Sequence, residues 1–166
     1  MPRADALLSD FDHEMTNLRR ALERVPAERW DFRPHAKAMT VGGLAGHLAR
    51  IPGWIGGLLE RGSYDVAMNT QPEPPATKEQ MLALFDASRS RARAALEAFP
   101  DARFAEPWRL LRGGEVVSIL SRERAVRRFL LEHVIHHRGQ LTVYLRLLDV
   151  PVPSIYGPSA DENPFA

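Results

Sequence analysis

The feature that most constrains this chain is an apolar stripe near its C-terminus that contains two histidines. Its residues recur at steps of three or four, which is the spacing of one face of an α-helix. They are Val126, Leu130, His133, His137, Leu141, Tyr144 and Leu148. A core-facing stripe normally continues with Leu or Ile, and an imidazole there raises the free energy of the fold unless it has a polar partner. The stripe therefore predicts a buried helix whose two histidines have specific partners.

The spacing of the two histidines favours a metal ion as that partner. His133 and His137 lie four residues apart, so on a helix they point the same way about one turn apart, and one ion can bind a nitrogen from each. The alternative is that each imidazole hydrogen-bonds to another side chain or to buried water. Val134 occupies the position where the zincin pattern has Glu. A third ligand must therefore come from elsewhere in the chain.

Length and composition indicate an ordinary soluble protein. With 166 residues, 45% of them hydrophobic and 26% charged, we expect a single domain over residues 1–166, with an irregular tail from about residue 150. A net charge of +1 gives no reason to expect binding to nucleic acid or to a membrane. The N-terminus has no apolar signal core, so we expect a cytoplasmic protein. The absence of cysteine excludes thiolate ligands and a cysteine nucleophile.

Apolar periodicity predicts four amphipathic helices and no strong strand pattern. The expected helices cover residues 5–25, 41–59, 78–99 and about 122–149, and the last three begin after the N-cap residues Thr40, Thr77 and Ser121. Residues 61–77 are expected to form a surface loop. Residues 101–120 are expected to be irregular, with a short hairpin or an ordered loop around the turn at 112–115. The fold class predicted is all-α, a four-helix bundle with long connections.

The second predicted helix supplies the candidate third ligand. His47 lies three residues after Leu44 and four before Ile51, so it faces inward at the edge of the apolar face. In helix bundles, metal sites are built from side chains on facing helices. Pro52 should kink or split this helix because it lacks a backbone donor. Six glycines in the same segment indicate either close packing against a neighbour or room for a ligand.

Two motifs in this chain resemble the DinB/YfiT-like family. One is Met39-Thr-Val-Gly-Gly-Leu-Ala-Gly-His47-Leu, and the other is His133-Val-Ile-His-His137-Arg-Gly-Gln-Leu-Thr-Val-Tyr-Leu-Arg146 with the segment that follows it. The resemblance extends over residues 5–162. It implies a four-helix bundle, one divalent metal held by His47, His133 and His137, and a homodimer. These are the three histidines that periodicity also selects.

The resemblance leaves three functions open. Some members of the family are transferases or isomerases that use a low-molecular-weight thiol such as bacillithiol or mycothiol, and others resemble metal-dependent hydrolases. Three imidazoles suit zinc or nickel, with iron, cobalt and manganese as alternatives, and they leave coordination positions open for a substrate. We expect thiol transfer to a small electrophile, in which the metal holds the sulfur as thiolate. Hydrolysis and a non-catalytic metal-binding bundle are the alternatives.

Further polar residues are candidates for supporting roles. Gln140 lies three residues after His137, so we expect it to orient that imidazole or the substrate, with ordinary helix packing as the alternative. The arginines of segment 103–128 exceed its acids by four. They predict a solvated, paired surface or, alternatively, a rim that attracts the carboxylates of a thiol. Glu132 and Arg138 are expected to be solvated or paired with neighbours.

Overall fold

The structure is a computed structural model that describes residues 2–70 and 72–165, and most of this part of the chain is helical. The helices are α1 (Arg3–Glu23), α2 (Val41–Arg50), α3 (Ile55–Leu59), α4 (Lys78–Ala98), α5 (Arg122–Val126) and α6 (Glu132–Leu147). The strands are β1 (Ser63–Asp65), β2 (Pro107–Arg112) and β3 (Glu115–Ser121). Among the described residues, no helix combines the length and apolarity that crossing a bilayer requires.

The long helices pack through the apolar faces that the sequence predicts. Helix α1 contacts α4 and α6, and α2 contacts the same two helices, so α2 and α6 lie side by side. The core between them includes Leu7, Phe11, Leu18, Leu44, Leu48, Phe85, Leu130 and Leu141, which are fully buried. The caps are also as predicted, because the hydroxyls of Thr40, Thr77 and Ser121 each accept a hydrogen bond from a backbone N–H in the first turn that follows.

The second predicted helix is split in two at Pro52, as expected from its missing donor. Helix α2 ends at Arg50, a short 3-10 turn covers Ile51–Trp54, and α3 follows. Helix α3 packs against the sheet, where the indole N–H of Trp108 donates to the backbone oxygen of Gly57 over 3.2 Å. The break therefore brings the second half of this segment to a layer that the four-helix prediction did not contain.

The prediction of an all-α four-helix bundle is confirmed only in part, because the chain also forms a three-stranded sheet. Strands β2 and β3 make the hairpin that we expected as an alternative to a loop. Their turn is Gly113-Gly114, both with positive φ. Strand β1 was not predicted, because it lies within residues 61–77, which were assigned to a surface loop. It pairs parallel to β2. The Asp65 carboxylate accepts hydrogen bonds from the backbone of both turn glycines, at 2.9 and 2.7 Å, so it fixes the hairpin to β1.

The last predicted helix is not uniform, since a wide turn separates α5 from α6. Residues Arg127–Leu131 form a π-helical turn directly before α6 begins. Ahead of it, Arg122 is buried, and its guanidinium donates to the backbone oxygens of Leu58, Leu59 and Arg61. These carbonyls lie at the C-terminal end of α3 and just beyond, where a helix leaves acceptors unsatisfied. Arg122 therefore anchors α5 to α3 and does not belong to a solvated surface.

The C-terminal tail lies against α1 and α6. Arg138 of α6 is only 2% exposed, and its guanidinium lies 2.7 Å from the carboxylate of Glu14 on α1. The hydroxyl of Tyr156, in the tail, lies 2.6 Å from Arg138 and 2.9 Å from Glu14. Of the two alternatives expected for Arg138, solvated or paired, the side chain is paired, and its partner is distant in sequence. The Arg138–Glu14 pair is shielded from water, and together with Tyr156 it connects α6, α1 and the tail.

Candidate metal centre

Three histidines converge between α2 and α6. His47, His133 and His137 each offer one nitrogen, and these atoms all lie within 4.8 Å of one another. The Nε2 atoms of His47 and His133 are 3.1 Å apart. Two imidazoles bound to one tetrahedral zinc at ~2.0–2.1 Å would have nitrogens about 3.3 Å apart. The observed spacing therefore fits two ligands of a single ion, and His137 completes a three-histidine set.

The helices place these side chains by simple register. His47 lies between the buried Leu44 and Leu48, on the side of α2 that faces α6. His133 and His137 are one turn apart on α6, with ring centroids separated by 4.7 Å. All three are half-buried, so one side of the cluster remains open. The sequence prediction of which histidines come together is consistent with this geometry, whereas their binding of a metal stays a prediction.

The three imidazoles are neutral at physiological pH, which is the form that binds metals. Burial is the largest cause that lowers the pKa of His47 from 6.5 to about 4, and the two neighbouring imidazoles and Arg50 lower it further. Burial, followed by the imidazoles of His137 and His136, lowers the pKa of His133 to about 4 as well. The pKa of His137 is also lowered by burial, although its hydrogen bond to Gln140 opposes the shift.

Gln140 holds His137 in the orientation that a metal ligand needs. Its side-chain oxygen lies 2.7 Å from Nδ1 of His137. Because an amide oxygen only accepts, Nδ1 carries the hydrogen, and Nε2 keeps its lone pair for an ion. Such contacts fix the tautomer and the ring orientation of metal-binding histidines. The expected contact between these two side chains is therefore present, while a catalytic role for Gln140 stays a prediction.

Two compartments of different character adjoin the histidines. The first, which we call the cleft, has a volume of about 760 Å³ and is lined by all three histidines together with polar residues that include Arg50 and Glu73. The second, which we call the apolar cavity, has a volume of about 420 Å³ and extends toward α3 and the sheet. His133, Trp54 and Asn69 line both compartments. One wall of the histidine site is therefore shared with an apolar space.

Sequence reasoning missed Trp54 and Arg50, although their spacing from His47 carried a signal. Trp54 lies seven residues after His47, and its ring contacts both His47 and His133 edge-on at 5.6 and 5.2 Å. Arg50 lies three residues after His47 and lines the cleft. In a helix, residues at these spacings share a face. The periodicity that selected His47 therefore also indicated these two neighbours.

The arginine-rich segment lies elsewhere. Arg103, Arg124 and Arg127 form ion pairs with Glu106, Glu132 and Asp10 at 3.0, 2.7 and 2.8 Å. None of the arginines at 103–128 is among the described residues that line either compartment. The paired surface that we predicted is thus what these three arginines form. The cations beside the site are instead Arg50 in the cleft and Arg61 at the apolar cavity.

A mostly helical chain that gathers three histidines between two packed helices defines a candidate metalloprotein, and sequence comparison identifies its family. The pattern of the DinB family matches residues 1–164, so the chain belongs to the DinB family. A 34-residue segment is also 53% identical to the uncharacterized protein YrdA of Bacillus subtilis strain 168. That match covers only 20% of this chain and 20% of YrdA.

Solved structures show the same fold at low sequence identity. The crystal structure of the DinB-like protein YjoA from Bacillus subtilis matches with a TM-score of 0.69 and 18% identity, over 90% of this chain and 97% of YjoA. A DinB-like protein from Bacillus cereus ATCC 10987 matches with a TM-score of 0.70 and 17% identity, over 92% of this chain and 97% of the other. At such identities the likeness supports the fold and carries no information about the reaction.

Proposed function

We propose that this protein is a metal-dependent S-transferase that joins a low-molecular-weight thiol to a small electrophile. The observation that carries the proposal is the pair of compartments that meet at His133. A transfer between two molecules needs two adjoining binding spaces, whereas hydrolysis needs one such space and water. The cleft contains the cation Arg50 and therefore suits a charged thiol, and the apolar cavity suits the body of an electrophile.

Residues of the chain itself can bind the thiol and orient a histidine toward the metal. Arg50 lines the cleft, where it donates to the backbone oxygen of Glu73 and has no carboxylate within 4 Å in the described part of the chain. Its remaining N–H groups can therefore pair with a carboxylate of the thiol. Gln140 keeps the imidazole of His137 in its ligand tautomer. A zinc or nickel ion held by the three histidines would supply a Lewis acid that lowers the pKa of a thiol.

The overall reaction balances without a redox partner. The thiol loses its S–H proton to solvent, and its sulfur forms a new bond to an electrophilic carbon. The leaving group departs with the electron pair of the bond that breaks. Because the chain contains no cysteine, the sulfur must come from a cosubstrate. The buried side chains of Leu58 and Trp108 give the apolar cavity a wall of low polarity on one side of the reacting atoms.

Thiol-dependent turnover tests the proposal. Protein loaded with zinc or nickel is incubated with 1-chloro-2,4-dinitrobenzene, with and without bacillithiol, mycothiol, glutathione or cysteine, and adduct formation is followed by absorbance. We expect turnover only with a thiol, its loss in His133→Ala, and an increased KM for the thiol in Arg50→Ala. His13→Ala is the matched control, because His13 is exposed on α1, away from the cluster. Equal rates with and without a thiol would contradict the proposal.

Hydrolysis is the second candidate, and Glu73 is the observation that favours it. This residue is the one acid among the described residues that line the cleft, and a carboxylate there can serve as a general base toward water. A panel of esters and amides assayed without thiol distinguishes the two reactions. Turnover that requires both metal and Glu73 would assign hydrolysis. If fully metallated protein is inactive in both panels, the non-catalytic metal-binding reading is favoured.

We also propose that the protein forms a homodimer through an exposed apolar side of α6. Ile135, Val143 and Leu147 are 38%, 58% and 55% exposed and lie within about a third of the helix circumference. Sedimentation at micromolar concentration should show a species of twice 18.7 kDa, and Val143→Lys should convert it to monomer. Val117→Lys is the control, because Val117 is equally exposed, at 55%, on β3. A monomeric wild type would refute the dimer.

A further inference from the structure

We propose that the apolar cavity is the binding site for an aryl or alkyl carboxylate, whose apolar body enters the cavity and whose carboxylate pairs with Arg61. The inference deepens the proposed function, on which it rests for the role of this ligand as the electrophile. The binding itself depends only on the cavity, so it can be tested without turnover.

The walls of the cavity select an apolar ligand. Aromatic rings come from Trp54, Trp108 and Phe129, and aliphatic groups come from Leu58, Leu110 and Val66. Trp108 and Phe129 pack together with ring centroids 5.3 Å apart. The indole N–H of Trp108 is already satisfied by the backbone oxygen of Gly57. A volume of about 420 Å³ lies within the ~300–1,000 Å³ range of small-molecule sites. The space therefore suits one aromatic ring or a branched alkyl group of a small molecule.

The apolar cavity is lined by a single charged side chain. Arg61 is exposed and is the one residue with a full charge among the described residues that line the cavity. Its guanidinium has no carboxylate within 4 Å in residues 2–70 and 72–165. No acidic residue is among those lining residues. A guanidinium binds a carboxylate through two parallel hydrogen bonds, so an apolar molecule with one carboxylate matches this lining.

The cavity is fixed in place by contacts outside the histidine cluster. Arg122 donates to the backbone oxygen of Arg61 over 2.7 Å, and the same guanidinium holds the end of α3. The hydroxyl of Tyr64 donates to the side-chain oxygen of Asn69 over 2.9 Å, and both residues line the cavity. A ligand held here lies beside His133, which lines both compartments. The position is therefore suited to presenting a substrate to the candidate metal centre.

Two glycines of α3 provide a matched pair of variants that fill or spare the cavity. A Cβ added at Gly57 or at Gly56 would meet no atom within 4 Å, so both positions accept a side chain. Gly57 lines the cavity and Gly56 does not. Leucine also favours a helix over glycine by about 1 kcal/mol, so neither substitution should impair folding. Gly57→Leu should occupy the cavity, and Gly56→Leu should leave it open.

Binding is measured by the intrinsic fluorescence of tryptophan, since Trp54 and Trp108 line the cavity. The probe is 4-phenylbutyrate, and 4-phenylbutan-1-ol is its neutral counterpart. We expect the carboxylate to bind about tenfold more tightly than the alcohol, and Arg61→Ala to remove this difference. Arg112→Ala is the control for charge, because Arg112 is exposed on β2 and does not line the cavity. Gly57→Leu should abolish binding of both probes, and Gly56→Leu should not.

Three outcomes would overturn the inference. They are undiminished binding in Gly57→Leu, equal affinity of wild type for the two probes, and loss of binding on chelation with no effect of Arg61→Ala. The last result would mean that the carboxylate binds the metal and not the guanidinium. The titration contains no thiol, so its result is independent of whether the protein transfers sulfur. An absence of thiol turnover with intact probe binding would refute the proposed function alone.

Discussion

Simultaneous replacement of His47, His133 and His137 by alanine is expected to abolish the binding of about one divalent metal per chain. The reason is that these three imidazoles are neutral and each offers a nitrogen within 4.8 Å of the other two. Among the described residues, they are the one group of histidines and acids so placed that they could hold an ion. Elemental analysis of chelator-free protein checks the result, and zinc or nickel is the metal expected. Full occupancy in the triple variant would contradict the assignment.

Two further measurements separate a substrate-binding ion from a purely structural one. Gln140→Ala should weaken metal affinity about tenfold, because His137 then loses the contact that fixes its tautomer. Removal of the metal by a chelator should leave the far-ultraviolet circular dichroism largely helical, since the core among the helices is independent of the histidines. Unfolding on chelation would instead indicate that the ion stabilises the fold.

Glu14→Ala is expected to lower the free energy of unfolding by about 3–5 kcal/mol. Its carboxylate lies 2.7 Å from the guanidinium of Arg138, and the two residues are 8% and 2% exposed. Removing the acid leaves a buried cation without its counter-charge, and it also removes a hydrogen-bond acceptor of Tyr156. Urea denaturation monitored by circular dichroism measures the change.

Glu23→Ala provides the control for this prediction on the same helix. Glu23 pairs with Arg19 at 3.0 Å, but its side chain is 53% exposed. An exposed pair of this kind contributes about 0–1 kcal/mol. Similar losses in Glu14→Ala and Glu23→Ala would mean that the buried pair does not stabilise the fold as proposed. Since Arg138 directly follows His137, the Glu14 variant also tests whether the anchor of α6 affects metal affinity.

The long helices could be predicted from the sequence because their evidence is local. Apolar residues at steps of three and four, together with Thr40, Thr77 and Ser121 as caps, mark their bounds to within about two residues. Strand β1 could not be predicted in this way. It has three residues, and it is stabilised by pairing with β2, in which Ser63 lies opposite Arg109, 46 positions later in the chain. No local sequence pattern encodes such a contact.

The same contrast separates the histidines from the residues around them. His47, His133 and His137 stand out because an imidazole in an apolar stripe is costly without a partner. Arg61 and Asn69 lie in the segment that we assigned to a surface loop, where a polar residue is unremarkable. Arg138 was expected to be solvated or paired with a neighbour, because its actual partner, Glu14, is 124 positions away in the sequence. The roles of Arg61, Asn69 and Arg138 become visible only in the three-dimensional structure, which shows what lies next to them.

The wide turn at Arg127–Leu131 has a consequence for how this chain tolerates changes in length. A π-helical turn holds one residue more than an α-helical turn between segments that keep their own directions. Removing one residue there is expected to restore regular α-helical bonding while α5 and α6 still present the same faces. If one residue were instead removed between His137 and Leu141, these two side chains would be rotated by about 100° relative to each other around the helix axis. Insertions and deletions among related chains should therefore accumulate before His133 and not after it.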